Sequence, residues 1–168
     1  MAAPLSLSTI KDSIEQRANE FVLAYETATK TKDANTLSIH LSPDCRRFLA
    51  SRAFLEAVNQ PPGFSLSNAE YQAQYEHVMP IWSINATEIS NFTIDPERRK
   101  AAARTISHGE FSDGEKYQVE FAWFLDFNDE GTEITGIVQY VDPTESLLFR
   151  TKAKELHDKK EAEKAIAS

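Results

Sequence analysis

Arginine, tyrosine and glutamine side chains at three places in the chain could assist a reaction without a cofactor. Arg46 and Arg47 follow Cys45 in a short predicted strand, and Tyr117 and Gln139 lie in two later strands. In a cavity that excludes water, arginine stabilises negative charge on oxygen. Tyrosine there can donate a proton or a hydrogen bond. Gln139 can orient a substrate, but an amide cannot be a general base near neutral pH.

Each of these side chains also has a purely structural interpretation. Arg46 or Arg47 could lie on the surface of a short edge strand, and the sequence does not decide which of the two faces inward. Tyr117 could be a core tyrosine, and Gln139 an inward polar residue hydrogen-bonded to a neighbour. His108 shares a strand face with Arg104, which favours an outer position in contact with solvent or a second subunit.

Motifs for metal, nucleotide and nucleophile chemistry are missing from the sequence. The four histidines have no ligand spacing, no HEXXH or phosphate-binding glycine motif occurs, and the Gly-x-Ser-x-Gly elbow is absent. Cys45 is interpreted as a packed thiol rather than a nucleophile. We therefore expect any activity to need no metal, nucleotide or flavin.

Length and charge limit the class of protein. The 168 residues suit one domain over 1–168, with 157–168 as a solvated helical tail. A net charge of −8 argues against nucleic acid or an anionic membrane surface as a partner. Neither a signal peptide nor an apolar run long enough to span a membrane is evident. These observations predict a cytoplasmic protein.

The stretch from Glu115 to Pro143 predicts a long hairpin, because two alternating segments flank a turn that contains glycine. The odd residues of its first strand are mostly aromatic or aliphatic, so this face is expected to be buried. It carries Tyr117, Phe121 and Trp123. Two further strands are predicted at 82–94 and 100–111. We expect the odd face of the hairpin to line an enclosed pocket.

Helices are predicted on both sides of these strands. Residues 8–31 carry an apolar stripe that includes Tyr25, and Ser8 or Thr9 could cap this helix. Asp33 caps a short second helix with Leu37 and Leu41 facing inward, which Pro43 ends.

A capping box at Ser67 and Glu70 starts a third helix, whose stripe includes Tyr71 and Tyr75. Asp142 and Pro143 start the last helix. This order of elements predicts an α+β cone, in which a curved antiparallel sheet wraps around helices and encloses a pocket.

Several segments resemble one group of proteins over residues 10–155. They are SPDCRRFLA, FSLSNAEY, DPERRKAAARTISHGEF and DGEKYQVEFAWFLDFNDEGTEI running into VQYVDP. The chain resembles the fungal branch of the SnoaL-like, nuclear-transport-factor-2-like (NTF2-like) superfamily. This branch contains cofactor-free isomerases and cyclases of secondary metabolism. The resemblance implies an NTF2-like cone, commonly homodimeric, and ring closures, dehydrations or rearrangements of polycyclic metabolites.

The resemblance also implies roles for particular residues. The family's catalytic arginine falls on Arg46, its first tyrosine on Tyr117, and its acidic residue on Gln139, where the carboxylate is lost. A second family tyrosine falls on Phe121, so its hydroxyl is lost too. The remaining residues expected to contact the substrate are Arg47, Tyr71, Tyr75, Phe121 and Trp123.

These expectations support three functional hypotheses. The first is a cofactor-independent isomerase or cyclase that acts on a polycyclic polyketide, meroterpenoid or indole-alkaloid intermediate. The second is a non-catalytic NTF2-like module that binds and shields such an intermediate, and the lost carboxylate at Gln139 favours it. The third, a protein-interaction domain, is disfavoured by an inward surface rich in tyrosine, tryptophan and arginine.

Overall fold

The structure, a computed structural model, describes residues 5–167. The α-helices are α1 (Leu7–Thr31), α2 (Arg52–Ala57), α3 (Asn68–Val78) and α4 (Pro143–Ala167), with a 3-10 helix at Ala34–Ser38. The strands are β1 (Leu41–Ala50), β2 (Ser65–Ser67), β3 (Trp82–Asp95), β4 (Lys100–Phe111), β5 (Lys116–Phe127) and β6 (Ile134–Val141).

The six strands form one sheet in the order β2-β1-β6-β5-β4-β3. Neighbouring strands are antiparallel except β1 and β6, which run parallel. The prediction of an α+β fold with a curved sheet around helices is confirmed. The sheet is antiparallel as predicted, apart from one parallel pair that β1 forms with the last strand, β6.

Alternation along the long strands sets the two faces of the sheet, as the sequence predicted. In β4 and β5 the odd positions face the helices, and Val119, Trp123 and Leu125 are buried there. Even positions such as Phe124 face outward. Successive strand residues point to opposite faces, so this register brings Trp123 of β5 opposite Gln139 of β6 on the inner face.

The sheet wraps around α1, whose buried stripe includes Ile14, Ala18 and Phe21. Two hydrogen bonds of one side chain hold this helix against the sheet. The Thr29 hydroxyl donates to the Ile84 carbonyl at 3.1 Å and accepts from the Ile84 N–H at 3.2 Å. α1 therefore has a fixed orientation against the start of β3.

Helix boundaries differ in places from those predicted. Ser6, rather than Ser8 or Thr9, caps α1 by accepting from the Thr9 N–H at 3.1 Å. Asp33 caps the 3-10 helix as expected, and Leu37 is buried. Pro43 does not end that helix but lies inside β1, where the pairing with β6 shifts register and leaves room for a residue without an N–H.

The two later helix starts are confirmed. Ser67 and Glu70 form a complete capping box at α3, and Asp142 accepts from the Glu145 N–H at 2.9 Å at the start of α4. α2 and β2 were not predicted, since six and three residues are too short to show a period. α4 continues through the expected tail, where His157 packs against His77 at 4.3 Å between ring centroids. Residues 1–4 and 168 of the predicted domain lie outside the described range.

The outer face of the sheet carries an apolar band. Phe48, Val138, Phe124 and Ala102 are paired in register across β1, β6, β5 and β4. Phe48, Phe124 and the nearby Tyr140 are 40%, 52% and 48% exposed. An apolar surface that runs across several strands is typical of an interface.

Among the described residues, no helix is both long and apolar enough to cross a membrane.

We expect the chain to form a homodimer through this outer face. Sedimentation at micromolar concentration should give a species of about twice 18.9 kDa. Phe124→Glu should shift it to the monomer, because a charge in the middle of an apolar interface is not compensated. Leu148→Glu on α4, where Leu148 is 68% exposed, is the matched control and should stay dimeric. A wild-type species of 18.9 kDa would contradict the prediction.

Candidate functional site

Arg47 lies at the centre of the cone and is the charged residue around which the candidate site is built. It points inward from β1 and is only 3% exposed. Its guanidinium carbon lies 3.6 Å from the centre of the Tyr71 ring, 5.4 Å from that of Phe21 and 5.8 Å from that of Tyr25. The contacts are attractive, because the face of an aromatic ring carries partial negative charge.

The charge of Arg47 is not neutralised by an acid. Within residues 5–167, no carboxylate lies within 4.0 Å of its guanidinium, although other arginines in this range are paired. Arginine stays protonated in proteins. A buried charge without a counter-ion is costly, so this site favours an anion or an oxygen on which negative charge develops.

The Arg47 guanidinium is the first donor in a chain of hydrogen bonds. Nη1 donates to the Tyr25 hydroxyl, whose oxygen lies 3.2 Å from that of Tyr71. Arginine cannot accept, and among the described residues the Tyr71 oxygen is the acceptor within reach of the Tyr25 proton. Tyr25 therefore donates to Tyr71, and the proton of Tyr71 remains free to donate.

Burial keeps Tyr25 protonated. Removal of its hydroxyl from water raises the pKa of Tyr25 well above the ordinary value, and the opposing effect of Arg47 is smaller. Tyr25 is thus a neutral phenol that passes on the polarising effect of Arg47. Tyr71, the last residue of this series of hydrogen bonds, lies on α3 and is only half-buried.

Gln139 and Trp123 form the sheet side of the cluster. The Gln139 side-chain oxygen lies 3.5 Å from Nη1 of Arg47, and Gln139 is buried. Trp123 lies opposite it in the register and donates its indole N–H to Thr105 at 2.8 Å. Its ring packs against Phe21 at 5.3 Å between centroids. Gln139 orients the arginine, and Trp123 packs against the rings of the cluster from the sheet side.

The structure places Arg46 outside this cluster. It lies on the opposite face of β1 from Arg47, is exposed, and donates to the Ser65 carbonyl at 2.9 Å. Its guanidinium also lies 3.6 Å from a Glu70 carboxylate oxygen. Adjacent strand residues face opposite sides of a sheet, so only one of the two arginines can enter the cone. The inward residue is Arg47.

Tyr117 also lies away from Arg47 and Gln139. It is six residues along β5 from Trp123, which corresponds to about 20 Å. Its hydroxyl donates to the Ser83 carbonyl at 2.9 Å. A Cβ on Gly109, its partner on β4, would meet the Tyr117 ring at 2.3 Å, so the glycine makes room for this ring. These contacts hold Tyr117 among aromatic side chains at the far end of the cone.

The other residues predicted to bind substrate face the interior. Phe121 is half-buried beside Trp123, with 5.3 Å between ring centroids. Tyr75 is buried on α3 and stacks on Tyr71 at 6.4 Å. The sequence places Tyr25 in the buried stripe of α1 and gives it no chemical role. Its hydroxyl, which follows Phe21 and Val22 in that stripe, was the signal that could have identified it.

These side chains pack against one another in the interior of the cone. Two clefts, of about 510 and 400 Å³, lie elsewhere, one between α2 and the end of β6 and the other between α3 and α4. Neither is lined by Arg47, Tyr25 or Gln139. The enclosed pocket beside Tyr117, Phe121 and Trp123 therefore stays a prediction.

Metal and thiol chemistry find little support among the described residues. In the range 5–167, no group of three or more histidine, cysteine or acidic side chains could hold a metal ion. Cys45 is buried beside Arg47 on the same strand face. Burial raises the pKa of its thiol to about 11, against the opposing effect of Arg47, so it stays protonated at neutral pH.

Solved structures share this fold. The BvnE pinacolase from Penicillium brevicompactum is 16% identical, with a TM-score of 0.71, over 92% of this chain and 99% of its own. PrhC from Penicillium brasilianum is 15% identical, with a TM-score of 0.67, over 88% and 93%.

An NTF2-like protein from Burkholderia pseudomallei is also similar, at 15% identity and a TM-score of 0.57 over 80% of this chain and 95% of its own. At such identities the likeness establishes the fold and leaves the activity open. No protein-family model matches the chain, and no curated protein matches its sequence.

Proposed function

We propose that this chain, which has the SnoaL/NTF2-like fold, is a cofactor-independent isomerase or cyclase of a polycyclic secondary-metabolite intermediate. The observation that carries the proposal is the buried guanidinium of Arg47 without a carboxylate partner. Ring closures and skeletal rearrangements of oxygenated polycycles pass through states in which charge develops on oxygen. A preorganised donor in a dry site stabilises such states.

Arg47 and Tyr71 take the two chemical roles in this proposal. Arg47 stabilises the developing oxyanion, directly and through the polarised Tyr25 hydroxyl. Tyr71 offers its free proton at the end of the chain and acts as hydrogen-bond or proton donor. Gln139 is a positioning residue, because its amide holds Arg47 and cannot remove a proton near neutral pH. In this proposal the catalytic arginine is Arg47, in place of the expected Arg46.

In this proposal, a substrate enters by displacing the first turn of α3, which carries Tyr71. Tyr75 is the buried residue of this helix, and Tyr71 covers the Arg47 guanidinium from it. An element with few buried apolar contacts opens at low free-energy cost. An aromatic polycycle that replaced the Tyr71 ring over Arg47 would keep the cation–π contact. Replacement of the Tyr71 ring would thus let a planar substrate bind over the Arg47 guanidinium.

The alternative is a binding module that shields a reactive intermediate without accelerating its conversion. Gln139 favours it, since the inner face of β6 presents an amide at the position where the resembling family carries an acid. The pinacolase among the similar structures favours the enzyme. The two hypotheses differ in turnover and agree on ligand binding.

Product analysis separates these hypotheses. Polycyclic α-hydroxy ketones and enolisable polycyclic ketones would be incubated with and without the protein, and the products compared by chromatography. An enzyme changes the rate or the distribution of products, and Arg47→Met removes the change while Arg46→Met retains it. Binding with an unchanged product distribution for every compound would support the binding module.

Variants of Gln139 test its positioning role. Gln139→Ala should lower turnover less than tenfold, because the amide only orients Arg47. Gln139→Glu places a carboxylate beside Nη1 of Arg47, at the 3.5 Å position of the present amide oxygen. Once ionised, it neutralises the arginine. Its pH–rate profile should therefore fall as the pH rises through the new pKa. A rate that rises with pH would show that the carboxylate acts as a base.

A further inference from the structure

Two buried donors in neighbouring rings have no acceptor. The Tyr75 hydroxyl and the Trp82 indole N–H are both buried and lack a hydrogen-bond partner. Tyr75 is 4% exposed, and the two ring centroids lie 5.4 Å apart. Leaving such groups unpaired costs free energy, and buried polar side chains are normally satisfied.

Other aromatic donors in the cone show the contrast. Trp123 donates to Thr105 at 2.8 Å, and Tyr117 donates to the Ser83 carbonyl at 2.9 Å. Both satisfy their polar atom within the fold. Tyr75 and Trp82 lie between the Arg47 cluster and Tyr117. The Tyr75 ring contacts that of Tyr25 at 5.9 Å, and the Trp82 ring contacts that of Tyr117 at 6.0 Å.

We propose that Tyr75 and Trp82 form a second polar subsite that binds a neutral oxygen acceptor of the ligand, a carbonyl or an ether. This proposal rests on the proposed function only in placing the ligand inside the cone. The indole N–H can only donate, and burial raises the pKa of Tyr75, so its hydroxyl keeps its proton. Neither group compensates a negative charge as Arg47 does. The subsite therefore selects an uncharged acceptor.

The position of the subsite defines the ligand further. Tyr25 lies beside Arg47 and contacts Tyr75, and Tyr75 contacts Trp82, so one aromatic surface leads from Arg47 to the two donors. A planar polycycle on this surface would present one oxygen to Arg47 and a second, neutral oxygen to Tyr75 and Trp82. We infer that the substrate is oxygenated at two separated positions of its ring system.

Binding of 9-fluorenone and fluorene tests the subsite, because these tricycles differ in one carbonyl oxygen. Calorimetric titration should give about tenfold tighter binding of fluorenone to the wild-type protein. Tyr75→Phe and Trp82→Phe should each reduce this preference to threefold or less. Tyr75→Phe should also leave the thermal midpoint unchanged or raise it, because an unsatisfied hydroxyl is removed. Tyr117→Phe, the matched control, should lower the midpoint, because it removes the hydrogen bond to the Ser83 carbonyl.

The result that overturns the subsite is equally specific. The two donors do not bind a ligand acceptor if the wild-type protein binds fluorenone no more tightly than fluorene. The same conclusion follows if both variants still bind fluorenone about tenfold more tightly. A midpoint lowered as much by Tyr75→Phe as by Tyr117→Phe would also overturn it, since the hydroxyl would then be bonded within the fold. Arg47→Met should retain the preference, so failure of the proposed chemistry remains distinguishable from failure of this subsite.

Discussion

Arg47→Met is expected to lower turnover by about a hundred- to a thousand-fold while the free energy of unfolding stays the same or rises. Loss of a preorganised oxyanion donor has an effect of this size on rate. Stability moves the other way, because the guanidinium is buried without a carboxylate and methionine packs well among Phe21, Tyr25 and Tyr71. Steady-state kinetics and urea unfolding on the same preparation measure the two quantities.

Arg46→Met is the matched control for this prediction. Arg46 carries the same charge one residue earlier, but it is exposed and bonded to Ser65. It should retain turnover within about twofold, since surface charges contribute little. Equal losses in the two variants would show that net charge, rather than the buried position, matters. A large loss of stability in Arg47→Met would give Arg47 a structural role instead.

Trp123→Ala is expected to lower the free energy of unfolding by about 3–5 kcal/mol, the usual range for a buried tryptophan. The indole is 2% exposed and packs against Phe21, Tyr25 and Phe121. Its loss also leaves the Thr105 hydroxyl without this donor. Such a loss is a large part of the stability of an ordinary domain.

Urea unfolding monitored by circular dichroism measures this effect. Leu148→Ala serves as control, because Leu148 is 68% exposed on α4 and should change the free energy by less than about 0.5 kcal/mol. If Trp123→Ala lowers the free energy of unfolding by less than 1 kcal/mol and weakens ligand binding, Trp123 is a ligand contact rather than a structural core residue.

Local patterns in the sequence were enough to predict most of the fold. The alternation in β5 identified its buried face, and the capping box identified the start of α3. α2 and the β1–β6 pairing were missed for different reasons. α2 is too short to show a period, whereas a parallel pair between distant segments leaves no local signal.

The candidate site was less predictable, because it depends on which residues meet in space. Two adjacent arginines look alike in the sequence, and only the pairing of β1 with β2 and β6 turns Arg47 inward. The partnership of Arg47 with Tyr25 and Gln139 joins α1, β1 and β6. Tyr117 satisfied the alternation but lies beyond the reach of Gln139, because β5 is longer than β6.

The pKa of a bound polycyclic phenol measures whether Arg47 gives the cone an affinity for negative charge on oxygen. The probe is 4-nitro-1-naphthol, titrated by absorbance with and without saturating protein. Arg47 should favour the phenolate, so the pKa of the bound probe should fall by about one unit, or about 1.4 kcal/mol. Arg47→Met should abolish this shift. A pKa that rises on binding to the wild-type protein, as in an apolar cavity, would show that Arg47 does not stabilise the phenolate.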